Sequence, residues 1–301
     1  MHRLLTRPAL ILWLSLLITA STSVADPLTP GAEMSSAVVL SVADFGALGD
    51  DSVDDTEAFR RALQMAEARG GGLVLVPAGG YTISGTIDVP TNSHLKGEAT
   101  RSTVLHAPQG IDFALLRLHD VVNVTVSHLS LIETDHEYLA SADAIEISGE
   151  SARILIDDVY VEGFGAGFNI GASDAQQATI RNVTFRNCHG EFSKLWSFGI
   201  NHAQQVLLEN CLAFRNRLDG LKLRKFARDV TIRGGESSHN GRTGPNGNGV
   251  DGYAGGDACV IRDLLVEHNN GSGIYIKTGP LHYGDFGLVR NGFLSGIRAR
   301  H

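Results

Sequence analysis

The sequence predicts an all-β fold, a parallel β-helix whose short strands wind into stacked coils, preceded by one amphipathic α-helix. Two residue markers repeat in phase from about residue 120 onward, at steps of 22 to 30 residues. The segments between them are short alternating strands without a helical stretch, which excludes helical and leucine-rich repeats and leaves a β-helix. The 35 glycines and 8 prolines of the 301-residue chain fit a fold with many tight turns.

The N-terminus has the pattern of a secretory signal peptide. Arg3 and Arg7 precede an apolar run, Ala9–Ala20, that is too short to span a bilayer, and small residues ending at Ala25 offer a cleavage site. The alternative, an uncleaved anchor, is less favoured because the apolar run is short. We therefore expect a secreted protein, extracellular or periplasmic, without membrane association after cleavage. The expected segments are a signal peptide at 1–25, a leader at 26–38 and a single β-helix domain at 39–301.

The first predicted element of the mature chain is a helix. Asp54 followed by Glu57 has the spacing of a capping box, and Gly70–Gly72 end the helical pattern. The helix is expected to cover the open end of the stack, whose edge and core would otherwise be exposed. One face of it collects five apolar residues: Ala58, Phe59, Ala62, Leu63 and Ala66.

A small residue followed by an apolar–x–apolar–x strand marks each coil. The motif occurs as "AIEIS", "GFNIG", "SFGIN", "GLKLR", "GVDGY", "GIYIK" and "GIRAR". Asn tolerates the left-handed backbone of tight turns and can form ladders between stacked strands, so we interpret a second repeating marker as structural. That marker is Asn187, Asn216, Asn240, Asn269 and Asn291.

Composition limits the function classes. A net charge of −8 argues against a nucleic-acid partner, because phosphate binding requires a basic footprint. Cys188, Cys211 and Cys259 match no metal-binding spacing. The repeats assign no two of them to equivalent positions, so we expect small core residues rather than a disulfide.

The stretches "VADFGALGDDSVDDTEAFRRAL" and "GGLVLVPAGGYTI" resemble the opening of the pectate-lyase-like superfamily of right-handed parallel β-helices. That group includes polygalacturonases, rhamnogalacturonases, mannuronan C5-epimerases and phage tailspikes. The resemblance covers nearly the whole mature chain and implies a right-handed parallel β-helix. It indicates the reaction less specifically, because one fold hosts many functions.

Stacking the strand motifs predicts two columns of outward side chains, with neighbouring coils about 4.8 Å apart. The first column is Glu146, Asn169, Gly199, Lys222, Asp251, Tyr275 and Arg298. The second column is Ser148, Gly171, Asn201, Arg224, Tyr253, Lys277 and Arg300. His202 and Lys225 follow the second column directly.

The cations of "DGLKLRK" favour a site for an acidic polysaccharide. Lys222, Arg224 and Lys225 crowd like charges, which costs stability unless an anion pairs with them. Lyases and epimerases of uronate polymers need cations that neutralise the sugar carboxylate, a base, and often a Tyr or His as acid. The predicted catalytic residues are Lys222, Tyr253, Tyr275, Asp251 and His202. The predicted substrate-binding residues are Asn201, Asp219, Arg224, Lys225, Lys277, Arg298 and Arg300.

Three functions remain open from the residues. Lyase or epimerase chemistry assigns Lys222 as base, Tyr253 and Tyr275 to the second proton, and Arg224 and Lys277 to the carboxylate. A polygalacturonase-like hydrolase with a rearranged acid pair, Asp219 and Asp251, is the first alternative. A non-catalytic glycan-binding or adhesion module is the second.

The comparison with polygalacturonases rests on three strands. Lys277 matches the lysine of their Arg-Ile-Lys strand, with Tyr275 in place of the arginine. Asp219 is the one aspartate where that family has two, and Asn248 stands where it has the histidine of Gly-His-Gly. The epimerases carry an Asp-Pro-His strand, which "GFNIGAS" and "SFGINHA" lack, and His202 is a displaced candidate for its histidine.

We expect no cofactor and no metal ligands. An aspartate cluster at the start of the helix is compatible with calcium, although a loop and helix cap is favoured. The cluster is Asp50, Asp51, Asp54 and Asp55. Because "GIRARH" ends the chain without a capping element, weak self-association through the C-terminal coil is a further expectation.

Overall fold

Three parallel sheets wind around one apolar core, as the repeats predict. The computed structural model describes residues 38–49, 53–133, 142–171, 179–224, 226–242, 247–253, 258–277 and 293–300, with the backbone alone at 253 and 277. Facing residues lie one coil apart: Phe198 pairs with Leu221, and Leu221 pairs with Val250. The predicted β-helix with an N-terminal capping helix is confirmed.

Each sheet contributes one side of the coil. The first sheet contains β1 (Val39–Ser41), β2 (Gly72–Val76), β5 (Ser93–Gly97), the first halves of β8 (Val122–Glu133) and β10 (Ala152–Glu162), β12 (Ile180–Arg186), β15 (Ala203–Glu209), β18 (Arg228–Arg233), β21 (Val260–Arg262) and β24 (Phe293–Ser295). The second contains β3 (Gly79–Thr82), β6 (Thr103–Ala107), the second halves of β8 and β10, β13 (His189–Glu191), β16 (Leu212–Phe214), β19 (Glu236–Ser238), β22 (Leu265–Glu267) and β25 (Arg298–Arg300). The third contains β4 (Ile87–Asp88), β7 (Leu116–His119), β9 (Asp143–Ser148), β11 (Ala166–Ile170), β14 (Phe198–Ile200), β17 (Leu221–Leu223), β20 (Val250–Tyr253) and β23 (Ile274–Lys277).

One helix closes the N-terminal end of the core. A 3-10 turn, Val42–Phe45, precedes the helix α1 (Thr56–Ala68), which buries the predicted apolar face. The Phe59 ring meets the Tyr81 ring edge-on, with 5.3 Å between the centroids. Burying one such side chain contributes about 2 kcal/mol. No helix among the described residues is long and apolar enough to cross a membrane.

The start of α1 differs from the predicted capping box. The N-cap position is Asp55, whose side chain makes no capping hydrogen bond, so Glu57 lies one position too early for a capping box, and it pairs with Arg60 instead. Asp54 accepts the backbone N–H of Thr56 at 3.0 Å. The Asp55 carboxylate accepts the N–H of Leu48 at 3.0 Å. The described half of the aspartate cluster thus binds backbone, and Asp50 and Asp51 lie outside the described residues.

The predicted asparagine ladder forms over three coils. The side-chain amide of Asn216 donates to Asn240 Oδ1, and that of Asn240 donates to Asn269 Oδ1, both at 2.8 Å. The left-handed backbone that we expected at these residues falls one position earlier, at Arg215, His239 and His268.

Asn187 does not belong to the ladder. With φ of 54° it occupies the bend between the first and second sheets, equivalent to Asn210 on the next coil. The repeat spacing misassigned it because asparagine is favoured at both bends that flank the second sheet. Asn291 lies outside the described residues.

All three cysteines are buried and free, as expected of small core residues. The prediction that no two are equivalent was wrong. Cys188 and Cys211 each follow a left-handed asparagine on neighbouring coils, and the N–H of Leu212 donates to the carbonyl of Cys188. Burial raises the pKa of the Cys188 thiol well above its ordinary value.

The last strand motif belongs to a different sheet from the one predicted. Arg298 pairs with Leu265, and Arg300 pairs with Glu267, so both arginines lie on the second sheet and leave the predicted columns. Gly296, with φ of 60°, occupies the bend filled by Asp263 one coil earlier. A glycine of a left-handed bend was therefore mistaken for the small residue that starts a third-sheet strand.

The ladder predicts a large cost for one buried amide. Asn240→Ala removes the Oδ1 acceptor of both the Asn216 side-chain amide and the Asn216 backbone N–H. We expect the free energy of unfolding to fall by about 2 to 3 kcal/mol, because each buried unsatisfied group costs about 1 to 3 kcal/mol. Urea unfolding followed by circular dichroism measures it. The control is Arg181→Ala, on an exposed side chain of β12, and equal midpoints for the two variants would contradict the ladder's role.

Candidate active site

The outward face of the third sheet carries the predicted first column in register. Backbone pairing aligns Glu146 with Asn169, Asn169 with Gly199, Gly199 with Lys222, Lys222 with Asp251, and Asp251 with Tyr275. The ladder thus brings the polar residues of six coils onto one surface, at a spacing of about 4.8 Å. Arg298 is the one predicted member that lies elsewhere.

Lys222 bridges two buried carboxylates. Its ammonium donates to Asp219 Oδ2 at 2.9 Å and to Asp251 Oδ2 at 2.6 Å. Asp219 and Asp251 are 3% and 2% exposed. Asn248 donates its backbone N–H and its side-chain amide to Asp219 Oδ1, both at 2.9 Å. Two of the three ammonium protons are therefore committed to carboxylates, and the predicted crowding of like charges is offset.

Arg224 lies at the neighbouring position of the second column. Its guanidinium carbon lies 5.7 Å from the centre of the Trp196 ring, within the range of a cation–π interaction. Both side chains line a cleft of about 370 Å³. The cleft also contains Asp143, Glu146, Asn169 and Asn201.

Glycines make room for the cleft. A methyl group on Gly199 would overlap the Trp196 indole and come within 2.6 Å of Asn169 Oδ1. Trp196 Nε1 and Asn201 Oδ1 are buried and have no hydrogen-bond partner within the described part of the chain. A cleft with one unpaired donor and one unpaired acceptor is suited to a polar ligand, because buried polar groups are normally satisfied.

Asp143 is the group in the cleft whose protonation is most altered. The pKa of its carboxyl is raised to about 6, mainly by burial; the hydrogen bond from Asn169 opposes this rise, and the nearby Glu146 charge adds to it. The Asn169 amide donates to Asp143 Oδ2 at 2.7 Å. A carboxyl with this pKa can exchange a proton near neutral pH, which suits a general acid or base.

Sequence reasoning missed Asp143 and Trp196. Both lie three positions before the first outward column, at the level of Asp219. The interval from Asp143 to Glu146 equals that from Asp219 to Lys222. Extending each strand motif by one residue toward the preceding bend would have found both residues.

The remaining predicted residues are divided between the face, the interior and undescribed positions. Tyr275 lies one coil beyond Asp251 and is 45% exposed. His202, expected beside the second column, is 1% exposed and stacks on Phe226 with 5.1 Å between the ring centres. Lys225 and the side chains of Tyr253 and Lys277 lie outside the described residues.

The burial of His202 has a backbone cause. Its φ of 51° places it at the bend before β15, where the in–out alternation of a strand ends. Among the described residues, no group of three or more His, Cys, Asp or Glu side chains is arranged to hold a metal ion.

Comparisons with known proteins agree with the β-helix fold. A family profile described as right-handed β-helix region matches residues 117–283, and one described as rhamnogalacturonase A/epimerase, pectate lyase-like, matches residues 39–125. The mannuronan C5-epimerase AlgE1 of Azotobacter vinelandii is 26% identical over 249 residues, 79% of this chain. Alginate lyase 7 of the same organism is 25% identical over 213 residues, 63% of this chain.

The chain spans a small part of these relatives, 16% of the epimerase and 24% of the lyase. Among solved structures, the A-module of the A. vinelandii mannuronan C5-epimerase AlgE4 superposes with a TM-score of 0.69 at 18% identity. That match covers 86% of this chain and 76% of the module. At this identity the structural likeness concerns the fold.

The raised pKa of Asp143 predicts a pH-dependent cost of folding. Between pH 4 and 6 the carboxyl ionises in the unfolded chain and stays protonated in the folded one, so stability falls as pH rises through this window. Relative to Asp143→Asn, the wild-type protein should lose about 2 to 3 kcal/mol between pH 4 and 7.

Chemical unfolding at several pH values measures this difference. Asn keeps an oxygen that accepts the Asn169 amide but cannot ionise. Asp112→Asn, on an exposed side chain, controls for the substitution itself. Parallel pH profiles for the wild type and Asp143→Asn would show that burial does not perturb this carboxyl.

Proposed function

Because the chain belongs to the pectate-lyase-like family of right-handed β-helix proteins, we propose that it modifies an acidic, uronate-containing polysaccharide by removing the proton beside a sugar carboxylate. Relatives named as mannuronan epimerases and as an alginate lyase support this substrate class. Both reactions begin with the same proton abstraction. They differ in whether a proton returns to the other face or the neighbouring C–O bond breaks.

The proposal rests on one observation: a cation and a proton-exchanging carboxyl line the same cleft. Arg224, stacked on Trp196, is suited to bind the sugar carboxylate and to stabilise the charge that develops on it. Asp143, with its pKa of about 6, is mostly ionised at pH 7 and is suited to accept the C5 proton.

In the proposed first step the C5–H bond breaks, the proton passes to Asp143, and the electron pair delocalises into the carboxylate held by Arg224. In epimerisation a new C5–H bond forms from the opposite face. In elimination the C4–O bond breaks, a C4=C5 double bond forms, and the leaving oxygen takes a proton. We assign this second proton to Glu146, which lines the same cleft as Asp143. Tyr275 lies five rungs from the Asp143 strand, about 24 Å at the rung spacing, which is too far to reach the same sugar.

Lys222 has a different role from the predicted one. Its two short contacts to Asp219 and Asp251 favour a fixed charge that organises the centre of the face. Removing the ammonium would leave two buried carboxylates without their shared partner, which is strongly unfavourable. We assign Lys222 to positioning and leave the abstraction to Asp143.

Hydrolysis is the second candidate. The predicted acid pair, Asp219 and Asp251, is less suited to it, because Lys222 lies between the two carboxylates. Asp143 and Glu146 favour it more, since two carboxyls in one cleft, of which Asp143 has a raised pKa, can act as acid and base on a glycosidic bond. We propose in addition that the chain is exported, as its N-terminal pattern indicates, since its polymer substrate would lie outside the cell.

A three-readout screen tests the function. Alginate, pectate and glycosaminoglycans are incubated with the protein and followed by ultraviolet absorbance, by reducing ends, and by proton exchange at C5 in deuterated water. Elimination gives absorbance, hydrolysis gives reducing ends alone, and epimerisation gives deuterium incorporation without cleavage. No signal on any acidic polymer, with binding retained, would favour the glycan-binding alternative.

In the active reaction we expect Asp143→Asn to lower kcat by about 10² or more, because it removes the proton acceptor and preserves shape. Arg224→Ala should lower kcat/KM by a similar factor, since it removes both binding and transition-state charge stabilisation. Arg228→Ala, on an exposed arginine of the first sheet, is the matched control. Turnover at the wild-type level in Asp143→Asn would exclude Asp143 as the base.

Glu146→Gln separates proton delivery from binding. The variant keeps the shape of the side chain and loses the ionisable carboxyl, so turnover should fall by about 10² with little change in affinity if Glu146 supplies the second proton. Steady-state kinetics with a parallel binding titration measures both. Tyr275→Phe is the matched control and should leave turnover unchanged, whereas unchanged turnover in Glu146→Gln would transfer this role to another group.

A further inference from the structure

A second cleft lies at the bend where each coil passes from the second to the third sheet. It has a volume of about 630 Å³. Aromatic and basic side chains from successive coils contribute to it: Phe192, Arg215, His239, Arg242 and His268. The protein carries a net charge of −8, yet none of the described residues lining this cleft is a carboxylate.

The backbone of this bend is unfavourable for the residues it holds. Phe192 and Arg215 have φ values of 57° and 51°, in the left-handed region that costs free energy for bulky side chains. On the same coils, the bend between the first and second sheets uses Asn187 and Asn210, which tolerate this conformation. Left-handed residues also occur at other bends, Arg153 and Phe226 among them, so it is the aromatic and cationic lining, not the strain, that distinguishes this bend.

The side chains form one cationic surface. The guanidinium carbons of Arg242 and Arg215 lie 5.1 and 5.8 Å from the centre of the Phe192 ring. Arg215 also contacts Glu191 Oε2 at 3.2 Å, and this contact offsets part of the charge of its guanidinium group. The His239 and His268 rings stack beside them with 4.9 Å between their centres.

We propose that this corner cleft, formed by Phe192, Arg215, His239, Arg242 and His268, binds an oxyanion of an acidic polysaccharide as a non-catalytic contact. A sugar carboxylate and a sulfate ester share the chemistry that guanidinium donors recognise. The inference rests on the proposed function only for the acidity of the polymer.

The same coils also supply the active face, which gives the second contact a physical consequence. Arg215 precedes Asp219 by four residues, and His268 precedes Tyr275 by seven. A polymer held at the corner cleft stays at high local concentration near the active cleft, which raises the overall affinity without new contacts there.

The test measures binding in a background where the active cleft is impaired. Arg224→Ala and Arg224→Ala/Arg242→Ala are titrated by calorimetry with polymannuronate, polygalacturonate, heparin and neutral dextran. Arg224→Ala/Arg228→Ala is the control for loss of any exposed arginine. We expect Arg242→Ala to weaken the residual binding of at least one anionic polymer about tenfold, the effect of one charge-assisted contact. The control should leave it unchanged, and dextran should not bind.

The choice of polymers identifies the anion, and measuring both binding and turnover distinguishes this inference from the proposed function. A loss confined to uronate polymers assigns a carboxylate, and a loss confined to heparin assigns a sulfate ester. Arg242-dependent binding without any turnover would uphold the corner cleft while the proposed reaction fails. Equal affinities of the two double variants, or equal binding of dextran, would overturn the corner cleft even if turnover is found.

Discussion

The in-register stacking of parallel coils is the constraint on which the rest of the structure depends. Each residue faces its counterpart one coil away, so a polar group that is buried in one coil finds its hydrogen-bond partner in the coil above or below. The interior solves this with amide-to-amide bonds from Asn216 to Asn240 and on to Asn269. The outward face uses the same rule with charges, as in the contacts of Lys222 with the carboxylates beside it.

Much of the fold and one column of the candidate site could be predicted from the sequence. The small–apolar–x–apolar–x motif marks the third sheet because a side chain close to the bend would collide with the next coil. A methyl group on Gly249, for example, would come within 2.5 Å of the Gly273 carbonyl oxygen. The prediction was wrong at Gly296, because glycine also serves left-handed bends and a single sequence does not distinguish the two uses.

The electrostatics of the site were harder to predict than its backbone. Counting charge along one strand showed three cations at the end of β17, whereas the structure places carboxylates from the preceding bend and from the next coil against Lys222. Asp143 was missed for the related reason that its pKa depends on burial and on a neighbour's amide. His202 was misplaced because alternation holds within a strand and stops at the bend. Sequence patterns thus predict which way a side chain points within a strand, whereas contacts between coils determine how its charge is paired.

Unequal coil lengths have a consequence for how such a protein can diversify. Phe198 pairs with Leu221, 23 positions later, while Leu221 pairs with Val250, 29 positions later, yet both pairs lie on the same uninterrupted ladder. Chain length between rungs is therefore decoupled from the alignment of the rungs themselves. Segments at the bends can be lengthened, shortened or grafted from a relative while Lys222 and Asp251 keep their alignment. The scaffold is therefore a modular frame in which the bends can change while the aligned side chains of the third sheet keep their positions.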